Sequence, residues 1–300
     1  MAQPYSRSLG WIPDVPDFRD YTEETEEIKA ILGPTVSRAG RGAAAGARRR
    51  AAPPAAVDLR EWASRVEDQG QLGSCTAQAG VGVIEYYERK SFGRHIDASR
   101  LFLYKVTRNL MKVKGDTGGH LRSTIGAMVL FGVPPEEYWP YTDKDPDFDK
   151  EPPAFCYAFA QNYKTILYYR HDPPGSSHVQ VLERIKAYLA AGHPAMFGFT
   201  VYNSVEQAAA TGRIPFPSAH ERIEGGHAVV TMGYDDAMKI RNTLGGAETT
   251  GALLIRNSWG PGWGEKGYGW LPYEYLDRGL AEDFWSVLKK EWIDTGAFQQ

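Results

Sequence analysis

The run Val66-Glu-Asp-Gln-Gly-Gln-Leu-Gly-Ser-Cys-Thr-Ala-Gln-Ala79 decides how this chain is read. Cys75 closes its polar, glycine-containing part, and Gly80-Val-Gly-Val-Ile-Glu-Tyr-Tyr-Glu88 follows with apolar residues at helical spacing. The pattern predicts a helix over 75–91, opened by a glycine–serine turn that delivers a thiol to the first turn. There the unpaired N–H groups and the positive end of the helix dipole favour thiolate, the nucleophilic form, over thiol.

Two further blocks lie downstream in the order a nucleophilic site needs. Glu224-Gly-Gly-His-Ala-Val-Val-Thr-Met-Gly-Tyr234 places His227 at the entry to a strand of small and β-branched residues. Leu253-Leu-Ile-Arg-Asn-Ser-Trp-Gly-Pro-Gly-Trp-Gly-Glu-Lys-Gly-Tyr268 puts Asn257 at a strand end, ahead of a glycine-rich loop with Trp259 and Trp263. A Cys nucleophile, a His base and an Asn orienter make one variant of the catalytic triad. On these three blocks the chain resembles the papain-like cysteine peptidases, of the kind without the usual disulfides, over roughly residues 53–289. Gly73, Ser74 and Cys75 follow that family's active-site signature, whereas Leu72 stands where a cysteine is usual and Thr76 where Trp or Tyr is usual. His227 lies 152 positions after Cys75 and Asn257 lies 182 after it. The usual separation is about 130–150. Much of the excess is assigned to 237–251, a polar segment between two strand patterns that reads as an extended hairpin.

The resemblance implies a role for each residue. Cys75 would attack a peptide carbonyl to give a thioester that water hydrolyses. His227 would share a thiolate–imidazolium pair with it and protonate the leaving amine. Asn257 would fix the imidazole, Trp259 would shield that contact, and Gln69 with the Cys75 N–H would form the oxyanion hole. Gly118 and Gly119 are similar to the family's glycine pair and would hold substrate main chain as an extended strand. Leu121, Gly198 and Ala228 fall where the second-subsite pocket is usually walled. That pocket is expected to be roomy and apolar, taking Leu, Phe or Tyr two positions before the scissile bond, with Trp263 on the leaving-group side. The partner implied is a peptide or protein substrate. Neither a metal nor a cofactor is expected, because no Cys/His cluster has ligand spacing.

The expected fold class is α+β, a two-lobed papain-like fold with Cys75 and His227 facing across a cleft. Residues 57 to about 165 carry helical patterns at 75–91, 98–113 and 121–131. From about 166 to 300, short strand patterns dominate at 195–202, 228–234, 252–257 and 268–272, with one helix at 179–191. A net charge of −3 gives no reason for a nucleic-acid partner, and no apolar run is long enough to span a membrane. The N-terminus lacks the apolar core of a signal peptide. Two cysteines give no disulfide framework, so a cytoplasmic location is expected, with non-classical export as the alternative. Cys156 reads as a small core residue.

Residues 1–33 form a distinct segment, with Trp11, Phe18 and Tyr21 set among acids and a short helix expected at 24–32. Residues 34–56 are Ala, Gly and Pro with Arg38, Arg41, Arg48, Arg49 and Arg50 and no acid, the composition of a flexible linker. A protease-sensitive junction is the alternative there. Aromatics on a tethered segment point to an intramolecular inhibitor lying over the cleft of a latent endopeptidase, the domain at 57–300. Two other readings remain: a peptide ligase on the same triad, and a non-catalytic binding module, which would be expected to lack a triad residue.

Overall fold

In the computed structural model, residues 8–37, 53–163, 167–293, 295 and 297 are described. Most of the expected linker, including its arginine cluster, lies outside them. In chain order the helices are α1 (Glu26–Ser37), α2 (Cys75–Phe92), α3 (Arg100–Met111), α4 (Leu121–Phe131), α5 (Ala154–Ala160), α6 (His178–Ala190), α7 (Tyr273–Asp277) and α8 (Lys290–Ile293). The strands are β1 (Ala56–Asp58), β2 (Leu167–Arg170), β3 (Ala195–Tyr202), β4 (Ile223–Arg241), β5 (Glu248–Arg256), β6 (Tyr268–Pro272) and β7 (Ala281–Leu288).

The architecture is α+β, a helical lobe followed by a β-rich lobe, as expected. Helix α2 is buried from Cys75 to Tyr87 and ends at Gly93, whose left-handed φ of 69° closes the last turn. Its apolar faces pack with α3 and α4, where Val83, Leu103, Ile125 and Met128 belong to one core. The strands form an antiparallel sheet in the order β2-β7-β3-β4-β5-β6, with β1 added to β4. Helix α6, opened by a capping box at Ser177 and Gln180, shares a second core with that sheet through Ile185, Leu189, Phe197 and Phe284. Helix α2 also packs against β4. The thiol at the start of one lobe therefore meets the strand that carries His227 on the other.

Two differences from the sequence reading and one agreement concern this frame. Strand β4 begins at Ile223, so His227 lies within a strand and not at its entry. The segment 237–251 does form a hairpin, as the far ends of β4 and β5, with Lys239 opposite Thr250 and Arg241 opposite Glu248. Strand β7 carries no alternation because it lies inside the sheet between β2 and β3, and all but one of its residues are buried.

Residues 8–37 are part of the packed body. Helix α1 runs to Ser37, past the expected boundary at 33, and buries Ile28 and Leu32 against Tyr169, Tyr188 and Leu288. Just before it, the Arg170 N–H donates to the Tyr21 carbonyl at 2.7 Å, so the chain covers the outer strand β2.

Candidate active site

Gln69 and Cys75 are set by one loop. The Gln69 N–H donates to the Ser258 carbonyl at 2.9 Å, and the Ser258 hydroxyl donates to Gln69 Oε1 at 2.5 Å. The side-chain NH₂ is thereby aimed at the loop and the cleft. Asp116 braces the turn, accepting from the Gly73 N–H at 2.9 Å and from the Tyr104 hydroxyl at 2.5 Å. Cys75, fully buried, opens α2.

His227 Nε2 lies 2.8 Å from Asn257 Oδ1. That oxygen also accepts the Ser258 N–H at 2.8 Å, which fixes the amide with its oxygen toward the imidazole. The ring therefore carries its proton on Nε2, leaving Nδ1 as the basic atom. Trp259, expected to cover that contact, stacks on the imidazole at 4.6 Å between centroids and 25° between planes.

The cleft is occupied by the chain's own N-terminal segment. The Ser8 carbonyl accepts from Gln69 Nε2 at 2.9 Å, on the donor expected to serve the oxyanion. The Gly119 N–H donates to the Gly10 carbonyl at 2.7 Å, and the Ile12 N–H donates to the Gly119 carbonyl at 3.1 Å. On the other lobe, the Trp11 N–H donates to the Gly226 carbonyl at 3.0 Å. Gly119 thus holds an extended main chain, and Gly118 leaves room for it: a Cβ there would stand 2.2 Å from the Gly10 oxygen. Gly10 is needed for the same reason, since its Cβ would stand 1.9 Å from the Gly73 oxygen.

Covering the site changes its electrostatics. The N-terminus of α2 is expected to favour thiolate, yet burial outweighs it and pushes the Cys75 thiol up to about 11. The N–H groups of Ala228 and Gly10 oppose that shift only in part. Burial likewise pushes His227 down to about 4, against the hydrogen bond it donates to Asn257. With the cleft filled, burial favours the neutral thiol and the neutral imidazole.

Comparison with known proteins follows the geometry. The family model for papain family cysteine proteases matches residues 53–283. Xylellain, a cysteine protease from Xylella fastidiosa, has a crystal structure that matches with a TM-score of 0.73 at 35% identity, over 96% of this chain and 98% of that one. A peptidase C1-like protein of Acanthamoeba polyphaga mimivirus, itself uncharacterised, is 35% identical over 227 residues, 73% of this chain and 68% of its own. Cathepsin K of Gallus gallus is 27% identical over 219 residues, 72% of this chain and 58% of its own. The chain belongs to the papain family of cysteine proteases.

Within this papain-family site, two expectations need correction. The pocket walled by Leu121, Gly198 and Ala228 is roomy, and Trp11 fills it as a member of the same apolar cluster as Leu121 and Ala228. It is not apolar throughout, because the Trp11 indole N–H donates to the buried carboxylate of Asp283 at 3.1 Å. Trp263 is only 2% exposed and meets Trp259 edge-on at 5.3 Å, so it backs that ring and is not an open wall. Asp116, Arg170 and Asp283 escaped the sequence reading, since no spacing ties an isolated charge to a cleft. Asp14 and Asp20, read only as acidic composition, ion-pair with Arg122, with Asp20 at 2.7 Å.

Proposed function

We propose that this cysteine peptidase is an endopeptidase held latent by residues 8–12. The observation that carries the reading is the polarity of the segment in the cleft. Trp11 pairs with Gly119 in parallel, the Gly10 N–H faces the Cys75 sulfur, and Trp11 after it fills the side-chain pocket. In a substrate, the residue in that pocket precedes the scissile carbonyl. The segment therefore runs backwards, and no peptide bond of the right polarity is offered to the thiol.

Mechanistically, leaving of the segment returns water to the site and frees the Gln69 donor. Cys75 then transfers its proton to His227 Nδ1 and attacks the carbonyl carbon. The oxyanion is held by the Gln69 NH₂ and the Cys75 N–H. The imidazolium gives its proton to the departing amine, and the neutral ring activates the water that hydrolyses the thioester. The test is cleavage of an internally quenched peptide by the Trp11→Ala chain with an excess of a free amine present. Hydrolysed fragments are expected. Aminolysed product as the main species would make the protein a ligase instead.

The anchor and the plug are separate. Ile28 and Leu32 bury against the β-rich lobe, each burial contributing about 1.5–3 kcal/mol, and Arg184 pairs with Glu23 at 2.8 Å. A cut in the linker is thus expected to release nothing. With a site for a sequence-specific protease placed within 38–52, cleavage should leave Cys75 labelling slow and the two pieces co-eluting. Labelling as fast as in Trp11→Ala would show instead that the segment is a removable propeptide.

A further inference from the structure

The pocket filled by Trp11 ends at an acceptor built for a ring donor. Asp283 Oδ2 takes the Trp11 indole N–H at 3.1 Å, while Oδ1 takes the Trp285 indole N–H at 2.6 Å and pairs with Arg170 Nη1 at 3.1 Å. A bulge puts the carboxylate there. Met196 of β3 pairs with Trp285 whereas Gly198 pairs with Glu282, so β7 carries one extra residue. Asp283 takes up that residue with a left-handed φ of 65°. Asp172 pins the bend, accepting the N–H groups of Asp283 at 2.7 Å and Phe284 at 3.0 Å. Glycine would adopt this backbone without strain, so the carboxylate is what requires an aspartate here.

The walls and the floor narrow the ligand. A Cβ at Gly198 would stand 1.9 Å from Trp11 Cε2 and one at Gly226 2.9 Å from its Cε3, so the ring lies flat on bare strand backbone. Asp283 Oδ1 is taken by Arg170 and the Trp285 indole, and Asp172 pairs with the same Arg170, so a single acceptor, Oδ2, faces the pocket. A flat ring with one N–H matches that single acceptor.

Resting on the reading of the chain as a latent endopeptidase, we propose that Asp283 is a specificity-determining residue that selects an indole. The substrate class is peptides with tryptophan two positions before the scissile bond. A substrate running opposite to residues 8–12 still presents that side chain to the same walls and floor, which belong to β3, β4 and β7.

The test uses the full-length Trp11→Ala chain, whose pocket is vacated, and peptides differing only at that position. Tryptophan should exceed 3-benzothienylalanine, its isostere without the N–H, by about 10-fold in kcat/KM. It should also exceed leucine and arginine. Asp283→Gly, which suits the bulge backbone, should bring the tryptophan to benzothienylalanine ratio to about 1. Asp283→Asn keeps an acceptor and should retain a preference for tryptophan. Calorimetric binding of the same peptides to the chain carrying Trp11→Ala and Cys75→Ala gives the ranking without turnover. An inactive enzyme therefore overturns the peptidase reading alone. Equal values for tryptophan and benzothienylalanine, or a preference for arginine, would overturn the role of Asp283.

Discussion

Replacing Trp11 with Ala in the full-length chain should raise the rate of Cys75 alkylation by iodoacetamide at pH 7 about 100-fold or more. Truncating a buried Trp costs about 3–5 kcal/mol, and each 1.4 kcal/mol is tenfold in the population of the open cleft. Trp11 is only 5% exposed and is the sole side chain of residues 8–12 within the main apolar core, so the loss falls on the plug itself. The pH profile should move as well. In the parent chain the thiol, pushed up to about 11 by burial, stays protonated until the medium approaches that value. In the variant, water returns and the thiolate should form in the range of a His-paired cysteine, about 3.5–7.5. Equal labelling rates for parent and variant at pH 7 would mean that the segment does not guard the site.

Within the Trp11→Ala chain, Cys75→Ala should lower kcat on the order of 10⁶-fold, the scale on which a triad loses its nucleophile. Gln69→Ala should lower kcat by about 10²–10³ with KM little changed, because its NH₂ meets charge that develops in the transition state. The two losses are separable in kind. Gln69 also donates to the Leu72 carbonyl at 2.8 Å, so an unchanged circular dichroism spectrum is the control for loop integrity. Turnover by the Cys75→Ala chain within tenfold of its parent would remove Cys75 from the mechanism. Loss in Gln69→Ala expressed mainly in KM would make Gln69 a binding residue.

The catalytic centre was legible because each part leaves a local mark. A thiol at a helix start, a histidine before small and β-branched residues and an asparagine before a tryptophan-glycine loop are short-range patterns. The sequence by itself therefore determined the family, the two-lobed frame and the helices around α2, and it nominated Cys75, His227, Asn257 and Gln69 for the site. It also flagged Trp11 together with Phe18 and Tyr21, since aromatics on an acidic tail need a reason, but of the three only Trp11 is buried and Phe18 stands exposed. What Trp11 touches was not legible, because that contact spans 272 positions and depends on a bulge in a strand that is buried at all but one residue and shows no alternation. Burial posed the same problem for charge. Local pattern favours a thiolate at the head of a helix, but desolvation is set by everything packed around it. Only the tertiary structure decided that Gly10 lies over the thiol, that burial there favours the neutral thiol and imidazole, and that the pocket ends in a carboxylate. Hydrogen bonding along a helix or strand is local and leaves a period in the sequence; desolvation and cross-chain contact have no period and exist only once the chain is folded.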